Sequence, residues 1–386
     1  MIIEKISTFE LEEKSSYSWT GLKRFKNQSL TARRIIELHN PTKGQKKNVE
    51  KQARQIRQCL MQAEEYFDAS NIVLDAIRPL LLYYGAMSLA LTEILLKSDG
   101  HSSLDASRGK HAHHGLELKI SGDPSKVHDL FESASSLRAV PHVRCRGDRF
   151  GTFELWHRLS REYPFLGKRT TVLDNGMGQI GFTCVATPRK EKLPELDLSG
   201  VNLLWCFQHT PGLSGLLASH SITSMLVPGV ISIYEDAISR EVKYQQIIHP
   251  FRSDVLNQCL SKFTYDAKDF EAINITEMPS GFIVEQTISE NSTANGRSMP
   301  MAFQNSSDRI YFCADNLSLT EFGIYYLGLY ILGNYCRYYP DMWMNEVDTH
   351  SDLYMIACQF MNIAAERLPM LSCAEMSGEI RVKKIS

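Results

Sequence analysis

The sequence predicts an α-rich α+β fold, and three observations carry the prediction. Two long helical patterns adjoin each other between residues 48 and 97. Residues 316–386 read as helical again. Between them, the Asn175-Gly176 pair separates two short runs of β-type residues. The chain has 386 residues, enough for two or three folding units at roughly 150 residues each. Hydrophobic residues make up 43% and charged residues 22%, the formal net charge is −2, and the mean hydropathy is −0.22. These values exclude a disordered, collagen-like or integral membrane chain. They also exclude a surface wholly given over to nucleic acid, though not a local basic patch.

Residues 1–44 are polar, with basic spots at Lys23, Arg24, Lys26, Arg33 and Arg34, and are expected to form an arm. From Asn48 to Asp68, residues Val49, Ala53, Ile56, Leu60, Ala63 and Phe67 recur at steps of three and four. That spacing predicts a helix with one apolar stripe. The next helix is expected from Asn71 to Lys97, apolar nearly all round from Leu80 to Leu91 and therefore central. Pro79 should kink it or start its main segment. Tyr84, Met87, Leu91 and Leu95 are expected to be mostly buried, touching the C-terminal helix near residues 327–331. A polar, His-rich connection follows over 98–123. Asp123 and Pro124 open a shorter helix as N-cap and first residue, and another helix is expected over Phe153–Glu162.

In the middle, residues 170–173 and 179–186 should pair as a hairpin, since Asn-Gly suits a type I′ turn. Gly281–Thr287 and Arg309–Cys313 are two further strand candidates, and 213–223 and 253–263 are helix candidates. Ser318 and Glu321 then make a capping box for a helix reaching about Tyr339, with Gly323, Gly328 and Gly333 tolerated where other helices pack closely. Pro340 should end it. A last helix is expected over Asp352–Arg367, stopping before Pro369. The organisation is thus an arm (1–44), a helical bundle (45–165), a mixed middle region (166–315) and a C-terminal helical region packing on the bundle (316–386).

Nine cysteines, an odd number with no C-x-x-C pair, fit reduced thiols in a cytoplasmic protein. The N-terminus has no apolar core of a secretory signal. The run Pro79–Leu91 is too short to span a bilayer, so no membrane partner is expected. Gly176, Gly178 and Gly181 match a dinucleotide fingerprint literally, but a strand follows where a helix is required, so no cofactor is expected. Seven of the twelve histidines lie between His101 and His157, yet no spacing defines a metal site. Arg108 precedes His113 and His114 by five and six positions. An arginine and a histidine brought together can cleave RNA without metal, the histidine moving a proton and the arginine binding the phosphate charge. Arg144, Arg146 and Arg149 could contact phosphates, although an exposed loop explains them as well.

Two segments carry a family resemblance. The first is Arg78-Pro79-Leu80-Leu81-Leu82-Tyr83-Tyr84-Gly85-Ala86, followed by His114-Gly115-Leu116. The second is Leu332-Gly333-Asn334 with Arg337-Tyr338-Tyr339-Pro340-Asp341-Met342-Trp343. In this order they resemble the YaaC-like bacterial proteins, a largely uncharacterised family, over roughly residues 45–370. The N-terminal part in turn resembles HEPN domains, where a Tyr-Tyr-small centre is followed by a His-Gly loop; Tyr83, Tyr84, Gly85, His113, His114 and Gly115 match that layout. The resemblance implies a HEPN-like bundle with a small β-containing insertion. It implies either a partner-binding scaffold in a bacterial defence or stress system, or a metal-independent endoribonuclease using Arg108 with His113 or His114. A protein partner or a homodimer is expected in both cases, and RNA in the second. Here the sequence departs from the HEPN nuclease signature: Gly109 follows Arg108, in a segment that reads as a loop. Arg337, Pro340 and Trp343 are expected to build a structural corner, with Arg337 bonding carbonyls or a carboxylate.

Overall fold

The structure is a computed structural model. It describes residues 5–9, 14–98, 103–106, 108–144, 147–160, 166–173, 175–176, 178–184, 195–236, 242–248, 270–278, 281–288, 302–304, 310–313 and 319–383. The fold is predominantly helical.

The 1–44 segment holds more structure than a polar arm. Strand β1 (Lys5–Phe9) is followed by α1 (Lys14–Lys23) and α2 (Gln28–His39). Asn27 caps α2 by accepting from the Leu30 amide. Helix α3 (Lys46–Ser70) buries all six residues of the expected stripe. Helix α4 runs over Arg78–Lys97, so Pro79 starts the helix instead of kinking it. Its fixed φ and missing amide suit a first turn. Among the described residues α4 is the one helix long and apolar enough to cross a membrane, and most of it is buried in the fold.

The connection after α4 contains the short helix α5 (Arg108–His111) and strand β2 (Leu116–Ile120). Asp123 accepts from the Ser125 amide, but only a single 3-10 turn follows; α6 (Leu130–Ser136) has its own cap, Asp129. Strand β3 (Leu137–Pro141) pairs with β2, and α7 spans Thr152–Leu159. In the middle region, β4 (Leu166–Val172) and β5 (Gly178–Cys184) pair as a hairpin where one was expected, but Val172 lies opposite Gly178, so five residues separate the strands where a type I′ turn has two. The two-residue β6 (Val201–Asn202) joins β3, followed by α8 (Leu203–Gln208) and α9 (Ser214–Ser219).

Strands β7 (Leu226–Asp236), β8 (Val242–Ile248) and β9 (Phe270–Met278) were not expected. With β4, β5, β10 (Gly281–Ile288), β11 (Ala302–Gln304) and β12 (Ile310–Cys313) they form one mixed sheet, in which β4 runs parallel to β7. The helix expected over 253–263 lies outside the described residues.

Helix α10 (Glu321–Tyr338) is the centre of the molecule: every residue from Glu321 to Cys336 is buried. Ser318 lies outside the described residues, and the cap is Thr320, which accepts from the Gly323 amide at 3.3 Å. Three helices approach α10 at its three glycines. A Cβ on Gly323 would lie 3.2 Å from Trp156 of α7, and one on Gly333 would lie 3.1 Å from Tyr83 of α4. One on Gly328 would lie 2.3 Å from Phe360, which belongs to α12 (Asp352–Ser377). Between them, α11 (Pro340–Thr349) starts at Pro340, which ends one helix and begins the next.

Two expectations about this core need correction. Tyr84, Met87 and Leu91 pack partly buried against the core and Leu95 is fully enclosed, but the ring contacts of α4 with α10 come from a residue not among these four. The α4 residue facing α10 is Tyr83, whose ring lies 5.7 Å from Tyr326 and 5.4 Å from Tyr330. The last helix also does not stop before Pro369; α12 runs through it to Ser377. An internal proline costs about 3 kcal/mol, which the burial of Leu368, Met370, Leu371 and Cys373 around it offsets. Strand β13 (Glu379–Lys383) then pairs in parallel with β1.

Candidate functional site

The two sequence segments that carry the resemblance, more than 200 residues apart, meet at one corner of the fold. Gly85 lets α4 press against α3, since a Cβ there would lie 2.9 Å from the Phe67 ring. This seats Tyr83 and Tyr84 at fixed depths. Tyr83 is buried, and its hydroxyl lies 2.7 Å from His114 Nδ1. Tyr84 is half-buried, and its ring stacks on Tyr66 at 5.6 Å.

His114 is held by its backbone. Gly115 has φ +85° and Gly151 has φ +107°, values that favour glycine. The two pass so closely that a Cβ on Gly151 would lie 2.4 Å from Gly115 Cα. The Thr152 and Phe153 amides then donate to the carbonyls of His113 and His114 at 2.9 and 3.0 Å. Unpaired donors at the start of α7 thus anchor the histidine loop.

Arg337 closes the corner from the last turn of α10. Its guanidinium donates to the Tyr84 hydroxyl at 2.6 Å and lies 5.1 Å from the Tyr338 ring centre. It is exposed, and among the described residues no carboxylate pairs with it. Burial, with the positive charges of Arg337 and His113, holds His114 below the usual histidine range. At neutral pH its imidazole is therefore uncharged. The Tyr83 hydroxyl sets its tautomer. Accepting from Nδ1, with its own proton turned toward Met87 Sδ at 4.0 Å, it leaves Nε2 a bare base. Donating to Nδ1, it makes Nε2 a proton donor.

Beside this corner lies a basic, aromatic surface. His113 and His142 both meet the edge of Phe150 at 5.0 Å, and the Arg144 guanidinium sits 3.9 Å over the Phe150 ring. His142 bonds Glu117 and holds its carboxyl below the usual range. Arg146 lies outside the described residues, and Arg149 donates to the Leu196 carbonyl.

Arg108 is placed differently from the expected arginine–histidine pair. It sits on α5 with its side chain 76% exposed and 3.6 Å from Asp105. Among the described residues no hydrogen bond or ion pair joins it to His113 or His114. Trp343 is fully buried and donates to the Asp75 carbonyl at 3.0 Å, while Pro340 begins α11 next to it. Arg337 bonds a tyrosine hydroxyl where a carbonyl or carboxylate was expected. Sequence spacing missed that the Arg337 charge acts on His114, because nothing local links the two. The exposed aromatic pair Tyr338 and Tyr339 after a buried helix was the available signal.

No curated protein and no solved structure matches the chain. The model of the family described as YaaC-like protein matches residues 23–376, nearly the whole length. The match spans the buried α10, the His114 loop and the Arg337 turn alike, and the chain belongs to the YaaC-like family.

Proposed function

We propose that this protein is a non-catalytic, partner-binding scaffold that takes an anionic group of its partner, a phosphate or carboxylate, at the Arg337–His114 corner. The observation that carries this reading is the exposed Arg337 guanidinium, fixed by the Tyr84 hydroxyl and without a carboxylate of its own among the described residues. A fixed guanidinium fork is suited to oxyanions. The HEPN-like core, the bacterial cytoplasm and a defence or stress role belong to this reading through the family resemblance.

A second reading, a metal-independent endoribonuclease, is favoured by one observation: His114 is held neutral beside a positive charge, the state a general base requires. In that case Arg337 takes the role expected of Arg108.

The test follows the His114 ring by NMR during titration with inorganic phosphate, alongside incubation with RNA. A saturable shift that Arg337→Ala abolishes and Arg108→Ala preserves, with RNA left intact, supports the binding reading. A shift unchanged in Arg337→Ala removes the site. RNA cleavage lost in His114→Ala replaces the first reading with the second. Light scattering distinguishes a homodimer from a chain awaiting a different partner.

A further inference from the structure

A second polar cluster lies inside the core, where α4, α7 and α12 meet. Glu93 and Lys97 stand one turn apart on α4, and Glu375 faces them from α12. Both carboxylates are buried, and the Lys97 side chain is 9% exposed. Lys97 Nζ bonds Glu375 closely, donates to the Leu159 carbonyl at 3.3 Å, and lies 3.6 Å from Glu93 Oε2. The Trp156 indole donates to the same Glu93 oxygen at 2.9 Å. The other oxygen, Oε1, forms no hydrogen bond among the described residues. The Ser372 hydroxyl faces this carboxyl from α12 without closing a hydrogen bond of ordinary geometry. Glu93, Lys97, Glu375 and Trp156 line a small cavity with Thr320 and Phe322.

Two carboxylates therefore share one ammonium. With both ionised, one net negative charge is left in the core, which is strongly unfavourable. Among the described residues no other cation makes up the difference. Arg367, two turns before Glu375, is engaged by Glu321 at 2.7 and 2.8 Å. On α7, Arg158 belongs to Glu154, and the His157 ring stacks on Phe153. From α3, the neutral Gln52 reaches the Leu95 carbonyl. Among the described residues of α1, no charged side chain contacts the cluster.

We propose that Glu93 is a proton-binding site, and that its proton locks the C-terminal half of α12 onto α4 and α7. The geometry selects Glu93 over Glu375. Lys97 sits against Glu375 but 3.6 Å from Glu93 Oε2, so its charge serves Glu375 first. Burial, reinforced by Glu375, pushes the Glu93 carboxyl up to about 7. The folded chain holds the proton where the unfolded chain has lost it. Stability is therefore highest on the acid side, declines as pH rises from the ordinary carboxyl range to about 7, and is level above it. Ionisation leaves two carboxylates competing for Lys97 and loosens α12 near Leu371–Ser377, the segment that carries β13.

The test is equilibrium unfolding of the full chain between about pH 5 and pH 8, for wild type, Glu93→Gln and Glu375→Gln. The unfolding constant of wild type should rise relative to Glu93→Gln by on the order of 100-fold across that range. In Glu375→Gln, Glu93 faces Lys97 alone, so the dependence should move to lower pH. A ratio independent of pH overturns the proposal. Infrared difference spectra of wild type supply a check that needs no variant. A protonated-carboxyl carbonyl band should be lost between about pH 6 and pH 8, and its absence at neutral pH overturns the proposal equally.

Discussion

Replacing Gly328 with alanine should destabilise the protein, although alanine is the better helix former. The added Cβ would lie 2.3, 2.7 and 3.3 Å from three atoms of the Phe360 ring. Carbon atoms pack best at about 3.5–4.0 Å, so the ring would have to retreat by more than about 1 Å. It has little room to do so, because Phe360 is fully buried between Phe207 at 5.5 Å and Tyr325 at 5.9 Å. Overpacking of this kind costs about 1–3 kcal/mol, and the short distances place it at the upper end. Helix propensity returns about 1 kcal/mol. The net loss should be about 2 kcal/mol, read by urea unfolding. Gly215, exposed on α9 with nothing within 4 Å of its would-be Cβ, is the control. There alanine should stabilise by about 0.4–1 kcal/mol. In Gly328→Ala/Phe360→Leu the two losses should sum to less than the separate values, by about 1 kcal/mol or more. A stabilised Gly328→Ala, or strict additivity with Phe360→Leu, would refute the steric reasoning.

Three further outcomes follow from the geometry. Trp343→Ala should lose about 3–5 kcal/mol on denaturant unfolding, since the ring is fully enclosed; a loss near zero would mean that the ring does not pack as described. Arg367→Met leaves Glu321 buried with only the Tyr325 hydroxyl, and should lose about 3–5 kcal/mol, part of which Glu321→Gln should restore in the double variant. His114 should titrate by NMR below the usual histidine midpoint of about 6.5. Its folded pKa is depressed, so stability falls as pH drops from that midpoint toward the folded value, and His114→Gln should flatten the decline. A midpoint at or above 6.5 would contradict its burial beside Arg337.

Where local chemistry decides the structure, the sequence was legible. The Val49–Phe67 stripe and the Asn175-Gly176 hairpin each follow from a few adjacent residues, whereas the second helix, expected from Asn71, begins only at Arg78. Tertiary packing explains the departures. Pro369 stays helical because its neighbours are buried on both sides. Thr320 caps α10 two residues after the position to which a Ser-x-x-Glu pattern pointed. Strand β7 contains Pro228 and Gly229, both poor strand residues, and is held by pairing on each side with β8 and β12. The candidate site was half legible. The Tyr83–Tyr84–Gly85 and His114–Gly115 segments stood out, but the arginine nearest His114 in sequence is not the one whose charge reaches it. That partner is 223 positions away, and only folding reveals it.

The position of α10 has a consequence for synthesis on the ribosome. Helix α4 is complete at Lys97, and the helix that covers it begins at Glu321, 321 − 97 = 224 positions later. At about 5–20 residues per second, the apolar surface of α4 waits roughly 10–45 seconds for its partner. Throughout that interval the nascent chain displays an oily helix that cannot be finished from what has already emerged. Its yield in a cell should therefore depend less on final stability than on translation speed and on the holding chaperones that meet the growing chain.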